Sequence, residues 1–222
     1  MQSKQKIILF DLDGTLIDST QAIYESVCVA FRDFGFSTPT QEQVSVQIGY
    51  TLEDMFKSLG VEESLISDFV SAYKAHYRKI CNEQTSLLKN AKEAILKAYE
   101  FAYLGVVTTK TGEYSKDLLK HFGVLEYFSC VIGRENVLHP KPHQEPILKA
   151  LEVIKEVTFC NVASCDIFMI GDTPLDILAA QNAKIQSLAV LSGYATKETL
   201  VKYTSKIYAD SLEAVLSLVN EG

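Results

Sequence analysis

The chain has 222 residues, of which 47% are hydrophobic and 22% charged, and its formal net charge is -7. This length accommodates one large domain, or a core domain with a smaller partner, and the composition is that of a globular enzyme. The acidic balance excludes a general nucleic-acid binder, because such a protein neutralises the phosphate backbone with lysine and arginine. If the substrate is an anion, positive charge has to be supplied locally by a metal ion, single basic side chains or helix N-termini.

The sequence predicts neither a membrane-spanning helix nor a signal peptide. No apolar run approaches the roughly 20 residues that a membrane-spanning helix needs, and the apolar stretch before Asp11 is too short for a signal peptide. We interpret the five scattered cysteines as free thiols in a reducing compartment: Cys28, Cys81, Cys130, Cys160 and Cys165. We therefore expect a cytoplasmic protein with no nucleic-acid and no membrane partner, whose oligomeric state does not follow from the sequence.

Short apolar runs and helical patterns alternate along most of the chain. The runs are KIILF (6–10), YLGVV (103–107), FSCVIG (128–133), DIFMIG (166–171) and SLAVLSG (187–193). They lack strict alternation, which is typical of strands that are buried on both faces of a parallel sheet. Helical patterns cover roughly 90–100, 113–122, 144–157, 174–183 and 210–219. This alternation predicts a doubly wound, mainly parallel (Rossmann-like) α/β domain.

The segment 19–86 differs from the rest, because its periodicity is helical throughout and no strand-like run interrupts it. We predict an all-helical cap domain over 19–86, inserted into an α/β catalytic core domain formed by 1–18 and 87–222. The polar segment 82–90 would return the chain to the core.

Polar side chains follow the predicted strands at the points where these strands end. Asp11 and Asp13 follow the first strand, and Thr108 follows the second. Lys141 lies in the loop after the third strand, and Asp172 follows the fourth. Because ligands bind beyond the carboxyl ends of the strands in an open parallel sheet, we expect these groups to converge on one edge.

Four motifs resemble those of the haloacid dehalogenase superfamily of phosphohydrolases. The segment ILFDLDGTLIDS is similar to the first motif, and the others follow in the family's order: Thr108 in GVVTTK, Lys141 in HPKPHQEPI, and Gly171-Asp172 with Asp176 in MIGDTPLDILAA. The helical insert stands where the family places its first-type cap. The resemblance, which is strongest to phosphoglycolate phosphatase-like members, implies a magnesium-dependent phosphatase that hydrolyses a small phosphorylated metabolite through an aspartyl-phosphate.

The same resemblance implies how the acidic residues act. A carboxylate that attacks a phosphate ester meets another anion, and a magnesium ion between the two relieves their repulsion. Asp11 would be the nucleophile and would bind Mg2+ together with Asp172 and the backbone carbonyl of Asp13. The side chain of Asp13 would protonate the leaving group and then deprotonate the hydrolytic water. Asp176, one helical turn after Asp172, would orient Lys141 or a metal-bound water.

The remaining motif residues would bind phosphate. Thr108 and Lys141 would contact the transferring group, with the N-terminus of the next helix behind Thr108. Thr109 stands where close relatives usually have asparagine, so we expect it to bind phosphate with one altered hydrogen bond. Lys184 replaces a frequent glycine after the helix of the fourth motif, where a left-handed turn is usual.

The motifs do not identify the substrate, because nucleotidase or pyrophosphatase specificity fits them as well. A β-phosphoglucomutase-like phosphosugar mutase would carry an arginine in the cap loop, and Leu52 at that position disfavours it. A non-catalytic descendant would have lost the nucleophile, the lysine or a metal ligand, and all of these are present. We interpret His139 and His143, which flank Lys141, as loop or surface residues and not as metal ligands.

Overall fold

The computed structural model describes residues 4–219, which form two compact units. One unit contains residues 4–18 and 87–219, and the other contains residues 19–86. Within the described range, no helix is both long and apolar enough to cross a membrane.

The first unit is built on a parallel sheet. The strands in the described range are β1 (Lys6–Phe10), β2 (Ile17–Asp18), β3 (Ser86–Leu87), β4 (Ala102–Val107), β5 (Phe128–Ile132), β6 (Asp166–Gly171), β7 (Gln186–Val190) and β8 (Ile207–Tyr208). Six of these described strands form one sheet in the order β5-β4-β1-β6-β7-β8, and neighbouring strands run parallel. The register places Phe10 beside Val106 and Ile170, so the carboxyl ends of β1, β4 and β6 lie together at one edge.

Helices cover both faces of this sheet. The α-helices in the described range are α1 (Thr20–Asp33), α2 (Gln41–Ser45), α3 (Leu52–Ser58) and α4 (Ile66–Ile80) in the second unit. Those of the first unit are α5 (Ala91–Phe101), α6 (Gly112–His121), α7 (Glu145–Thr158), α8 (Pro174–Asn182), α9 (Lys197–Leu200) and α10 (Ser211–Val219). Ile7 and Leu9 of β1 share an apolar cluster with Ile147 of α7 and Ala179 of α8. All residues from Ile7 to Phe10 are fully buried, although successive side chains point to opposite faces, so both faces are covered.

The second unit is helical and packs around Phe69 of α4. The Phe69 side chain is fully buried. Phe34 stacks on it with ring centroids 4.6 Å apart. Phe31, Phe36 and Phe56 meet it edge-on at centroid distances of 5.2–5.6 Å. An aromatic core of this kind stabilises a small helical unit through burial and edge-to-face contacts.

The predicted fold class, a mainly parallel α/β sheet with a helical insert, is confirmed. The strand predicted over 187–193 ends at Val190. It ends there because the following segment turns back: Ser192 Oγ donates a hydrogen bond to Gly14 O, and the Tyr194 N–H donates to the carboxylate of Asp172. The two-residue strands β2, β3 and β8 were not predicted, since they are too short to show a pattern.

Candidate active site

Asp11 and Asp13 lie directly after the central strand β1. The Asp11 N–H donates to Ile170 O at 2.9 Å, which continues the pairing with β6 beyond the end of the strand. The chain then turns sharply, and the Gly14 N–H donates to Ile17 O at 2.8 Å. Gly14 has φ +81, a left-handed conformation that glycine adopts without steric cost. Both carboxylates are buried as a result, at 3% exposure for Asp11 and 7% for Asp13.

Lys141 joins two of the acidic motif residues. Its Nζ lies 2.8 Å from Asp11 Oδ1 and 2.6 Å from Asp176 Oδ1, and it also donates to Val107 O at 3.1 Å. Burial alone would lower the pKa of Lys141, but the adjacent charges of Asp11 and Asp176 outweigh burial and hold this pKa above its ordinary value. The lysine is therefore a permanent cation that fixes the orientation of Asp11.

Asp172 is fully buried beyond the end of β6. Its Oδ1 accepts a hydrogen bond from Thr15 Oγ1 at 3.0 Å, and its Oδ2 accepts one from the Tyr194 N–H at 2.8 Å. A Cβ at Gly14 or Gly193 would collide with this carboxylate, so both positions require glycine for close approach. The pair Thr15 and Tyr194 was missed by the sequence analysis; Thr15 stands in the quoted first motif, but Tyr194 lies in a loop with no motif of its own.

When ionised, the three carboxylates of the acidic cluster carry more negative charge than the adjacent Lys141 neutralises. Asp11, Asp172 and Asp176 each offer an oxygen within 4.8 Å of the others. Burial raises the pKa of Asp11 to about 7, with Lys141 opposing the rise and Asp176 adding to it. Burial, and then the charges of Asp11 and Asp176, raise the pKa of Asp172 well above its usual value. With all three carboxylates ionised beside one ammonium, two negative charges remain. A divalent cation such as Mg2+, which prefers oxygen ligands, would balance them.

Asp176 has partners for both of its oxygens. Oδ1 accepts from Lys141, while Oδ2 accepts from the N–H and the Oγ1 of Thr173 at 3.0 and 2.7 Å. These contacts also cap helix α8, which begins at Pro174. This arrangement supports an orienting role for Asp176, since its oxygens already hold Lys141 and the start of α8.

Thr108 is buried beyond the end of β4, in the turn that leads to α6. Its N–H donates to Ile132 O, and its Oγ1 accepts from the Lys110 N–H at 3.1 Å. A hydroxyl that accepts in this way keeps its own proton to donate elsewhere. Thr109 is half-buried in the same turn. The Lys110 side chain, to which the sequence analysis assigned no role, places Nζ 3.3 Å from Asp13 Oδ2.

The N-terminus of α6 is occupied by a side chain. The Gly112 N–H lies 2.9 Å from each carboxylate oxygen of Glu135, and the Glu113 N–H lies 3.3 Å from Oε1. The first two amides of this helix therefore already have an acceptor in the Glu135 carboxylate. The Arg134 N–H also donates to Lys110 O at 3.0 Å. Glu135 was missed because it lies 23 residues from Gly112 and belongs to none of the motifs.

Comparison with known proteins identifies the family. The profile of the haloacid dehalogenase-like hydrolases matches residues 8–190. The chain belongs to this family. The pyrophosphatase PpaX of Bacillus cereus is 27% identical over 98% of this chain and 98% of its own length. The "probable phosphatase IndB" of Dickeya dadantii is 30% identical over 95% of this chain and 91% of its own length. A haloacid dehalogenase-like hydrolase from Streptococcus pneumoniae has a solved structure that superposes with a TM-score of 0.83, at 25% identity, over 96% of this chain and 98% of that one.

The family assignment confirms the resemblance that the four motifs indicated. It also bears out the prediction of a hydrolase enzyme of the phosphatase type, because relatives that match along nearly their whole length carry phosphatase names. The roles of the individual site residues stay predictions.

Proposed function

We propose that this protein is a magnesium-dependent phosphatase that hydrolyses a small phosphorylated metabolite through an aspartyl-phosphate on Asp11. The observation that carries the proposal is the buried Asp11 carboxylate, held by Lys141 at 2.8 Å inside a cluster with excess negative charge. In such a site a phosphate ester and a carboxylate can approach each other only if positive charge is added. The carboxylates of Asp11 and Asp172 and the backbone carbonyl of Asp13 would hold Mg2+, which supplies that charge and polarises the phosphoryl oxygens.

The phosphoryl group would be bound by side chains that the sheet edge brings together. Lys141 contributes a permanent positive charge and keeps Asp11 in position. The Thr108 hydroxyl accepts from the Lys110 N–H, so its proton is available for a phosphoryl oxygen. Thr109 follows in the same turn and would donate to another oxygen.

Asp13 would carry the proton in both half-reactions. First, an Asp11 oxygen attacks phosphorus, the bond from phosphorus to the leaving oxygen breaks, and that oxygen takes the proton of Asp13. Then water attacks phosphorus, its proton passes to the Asp13 carboxylate, and the bond to Asp11 breaks to release inorganic phosphate. Lys110 Nζ lies 3.3 Å from Asp13 Oδ2 and would hold this side chain in position.

We propose two candidate substrates, phosphoglycolate and pyrophosphate. The sequence motifs favour a phosphoglycolate phosphatase-like activity, and the similarity to PpaX, named a pyrophosphatase, favours pyrophosphate. Both are small and anionic. A screen of phosphoglycolate, pyrophosphate, nucleoside monophosphates and hexose phosphates with Mg2+ separates them by kcat/KM. A hexose phosphate that is isomerised without phosphate release would identify a mutase instead.

The proposed nucleophile is tested with Asp11→Asn, which keeps the size of the side chain but removes the attacking oxygen anion. We expect turnover to fall by roughly 10⁴-fold or more, as happens when a nucleophile is deleted. Asp166→Asn is the matched control, because Asp166 is exposed at the start of β6 and should leave turnover unchanged. Appreciable hydrolysis by purified, folded Asp11→Asn would refute the assignment. Activity that survives EDTA would refute the metal requirement.

A further inference from the structure

A second group of metal-binding side chains lies outside the candidate active site. His139, His143 and Glu145 each offer one donor atom, and these three atoms lie within 4.8 Å of one another. His139 and His143 lie in the segment between β5 and α7, on either side of the buried Lys141, and Glu145 is the first residue of α7. Their side chains are accessible, at 66% exposure for His139, 49% for His143 and 31% for Glu145. The function proposed above does not use this cluster.

The carboxylate of Glu145 is already fixed in place by the backbone. Its Oε1 accepts from the Leu138 N–H at 2.8 Å, and its Oε2 accepts from the His139 N–H at 3.0 Å. The cluster therefore has a carboxylate whose orientation is set before any cation binds.

Both imidazoles place Nδ1 close to Glu145. His139 Nδ1 lies 2.9 Å from Glu145 Oε2, and because a carboxylate oxygen only accepts, the nitrogen carries the shared proton. His143 Nδ1 accepts from the Glu145 N–H at 3.1 Å, so this nitrogen carries a lone pair, and it lies 4.0 Å from the same carboxylate oxygen. The two rings have centroids 4.8 Å apart. A metal ion would replace the His139 proton and take the His143 lone pair from the amide.

The spacing of the donors suits a small transition-metal ion. Bonds of about 2.0–2.1 Å in a tetrahedral site separate neighbouring ligand atoms by roughly 3.3 Å. The observed separations from Glu145 Oε2, 2.9 Å to His139 and 4.0 Å to His143, lie on either side of this value. Small side-chain rotations would equalise them, and exposure leaves room for water in the remaining positions.

We propose that His139, His143 and Glu145 form a binding site for a transition-metal ion of the Zn2+, Co2+ or Ni2+ class. Imidazole nitrogen favours these ions, whereas Mg2+ prefers oxygen and would stay at the acidic cluster. This proposal differs from the sequence-based interpretation of the two histidines as loop or surface residues. Bound metal ties position 139 to positions 143 and 145, and it stabilises the conformation of the segment that carries Lys141.

The test titrates Zn2+ into the full chain by calorimetry in a large excess of Mg2+, which occupies the oxygen site. We expect one Zn2+ equivalent to bind, with a rise in Tm. His139→Gln and His143→Gln should each weaken this binding by at least about 10–100-fold, since a lost direct ligand costs no less than a lost supporting one. His121→Gln is the matched control, because His121 belongs to neither metal-binding group in the described part of the chain.

Two outcomes overturn the site. One is the absence of Zn2+ binding when Mg2+ is in excess. The other is binding that survives in both histidine variants but disappears in Asp172→Asn, because the ion would then sit at the acidic cluster. Co2+ provides a second readout, since nitrogen ligation changes its visible absorption spectrum. That spectrum should be lost in the histidine variants and kept in Asp172→Asn, whose circular dichroism verifies folding.

Discussion

Glu135 offers the sharpest test of how the turn from Thr108 to Gly112, which we propose binds phosphate, is held in place. Its carboxylate accepts from the amides of Gly112 and Glu113, and the next residue back, Arg134, donates its N–H to Lys110 O. These contacts fix the turn from Thr108 to Gly112 against the loop after β5. Glu135→Ala removes the acceptor for both amides, and Glu135→Gln keeps one oxygen but loses the charge.

The magnitude follows from the contacts. A lost acceptor at a helix N-terminus costs about 0.5–2 kcal/mol, and the loss of favourable charge there adds about 0.3–1 kcal/mol. Because Glu135 is exposed and water replaces part of the interaction, we expect Glu135→Ala to lower the free energy of unfolding by about 1–2 kcal/mol. For a chain of this size that corresponds to a fall in Tm of roughly 2–8 °C. Displacement of Thr108 by even a fraction of an ångström should lower kcat/KM by about 10–100-fold.

The assay pairs thermal unfolding with steady-state kinetics at saturating Mg2+. Glu135→Gln should fall between the wild-type protein and Glu135→Ala in both measurements. Glu126→Gln, an exposed glutamate in the neighbouring Leu125–Tyr127 turn, is the control and should change neither. If Glu135→Ala keeps the wild-type Tm and a kcat/KM within about twofold of wild type, the turn is held by other contacts and the reasoning fails.

Three further substitutions probe separate parts of the molecule. Gly193→Ala puts a methyl group into the Asp172 carboxylate, so we expect a loss of about 1–3 kcal/mol in unfolding free energy and a marked fall in kcat, measured by denaturant unfolding and by kinetics. Phe69→Ala empties the centre of the helical unit and should cost about 3–5 kcal/mol, measured by denaturant unfolding. Lys184 has φ 59, a left-handed conformation that costs an L-residue about 1–2 kcal/mol, so Lys184→Gly should raise Tm slightly despite the greater chain entropy of glycine.

Each of these expectations has a result that contradicts it. Wild-type kcat in Gly193→Ala would show that Asp172 can move without cost. Phe159→Ala is the control for Phe69→Ala, because Phe159 is 92% exposed; equal losses in the two variants would exclude cavity formation as the cause. Lys184→Ala retains the Cβ atom, and a gain in Tm equal to that of Lys184→Gly would rule out backbone strain.

The strands of the core could be predicted from the sequence, because a strand that is buried on both faces needs an uninterrupted apolar run. KIILF and DIFMIG coincide with β1 and β6 at both ends. The predicted helices also agree with α5 to α8 and α10 to within one residue at each end. The left-handed turn expected at Lys184 is present as well, because the chain has to reverse after α8 whichever residue occupies the position.

The convergence of the polar residues that follow the strands could also be predicted, because a parallel sheet places the carboxyl ends of these strands at one edge. Lys141 reaches Asp11 and Asp176 as that topology requires. Contacts between residues far apart in the sequence and outside the motifs could not be predicted. No pattern in the sequence around Glu135 predicts its contact with Gly112, and none around Tyr194 predicts its contact with Asp172.

The sequence by itself determined the α/β class, the helical insert and the residues that gather around Asp11, because apolar periodicity and motif order are local properties. Only the tertiary structure decided how these residues are held. A backbone amide reaches the Asp172 carboxylate only when the loop after β7 has folded back over the end of β1. The same holds for His139 and His143: the sequence predicted a loop, and only the folded path of this loop brings both imidazoles into contact with Glu145.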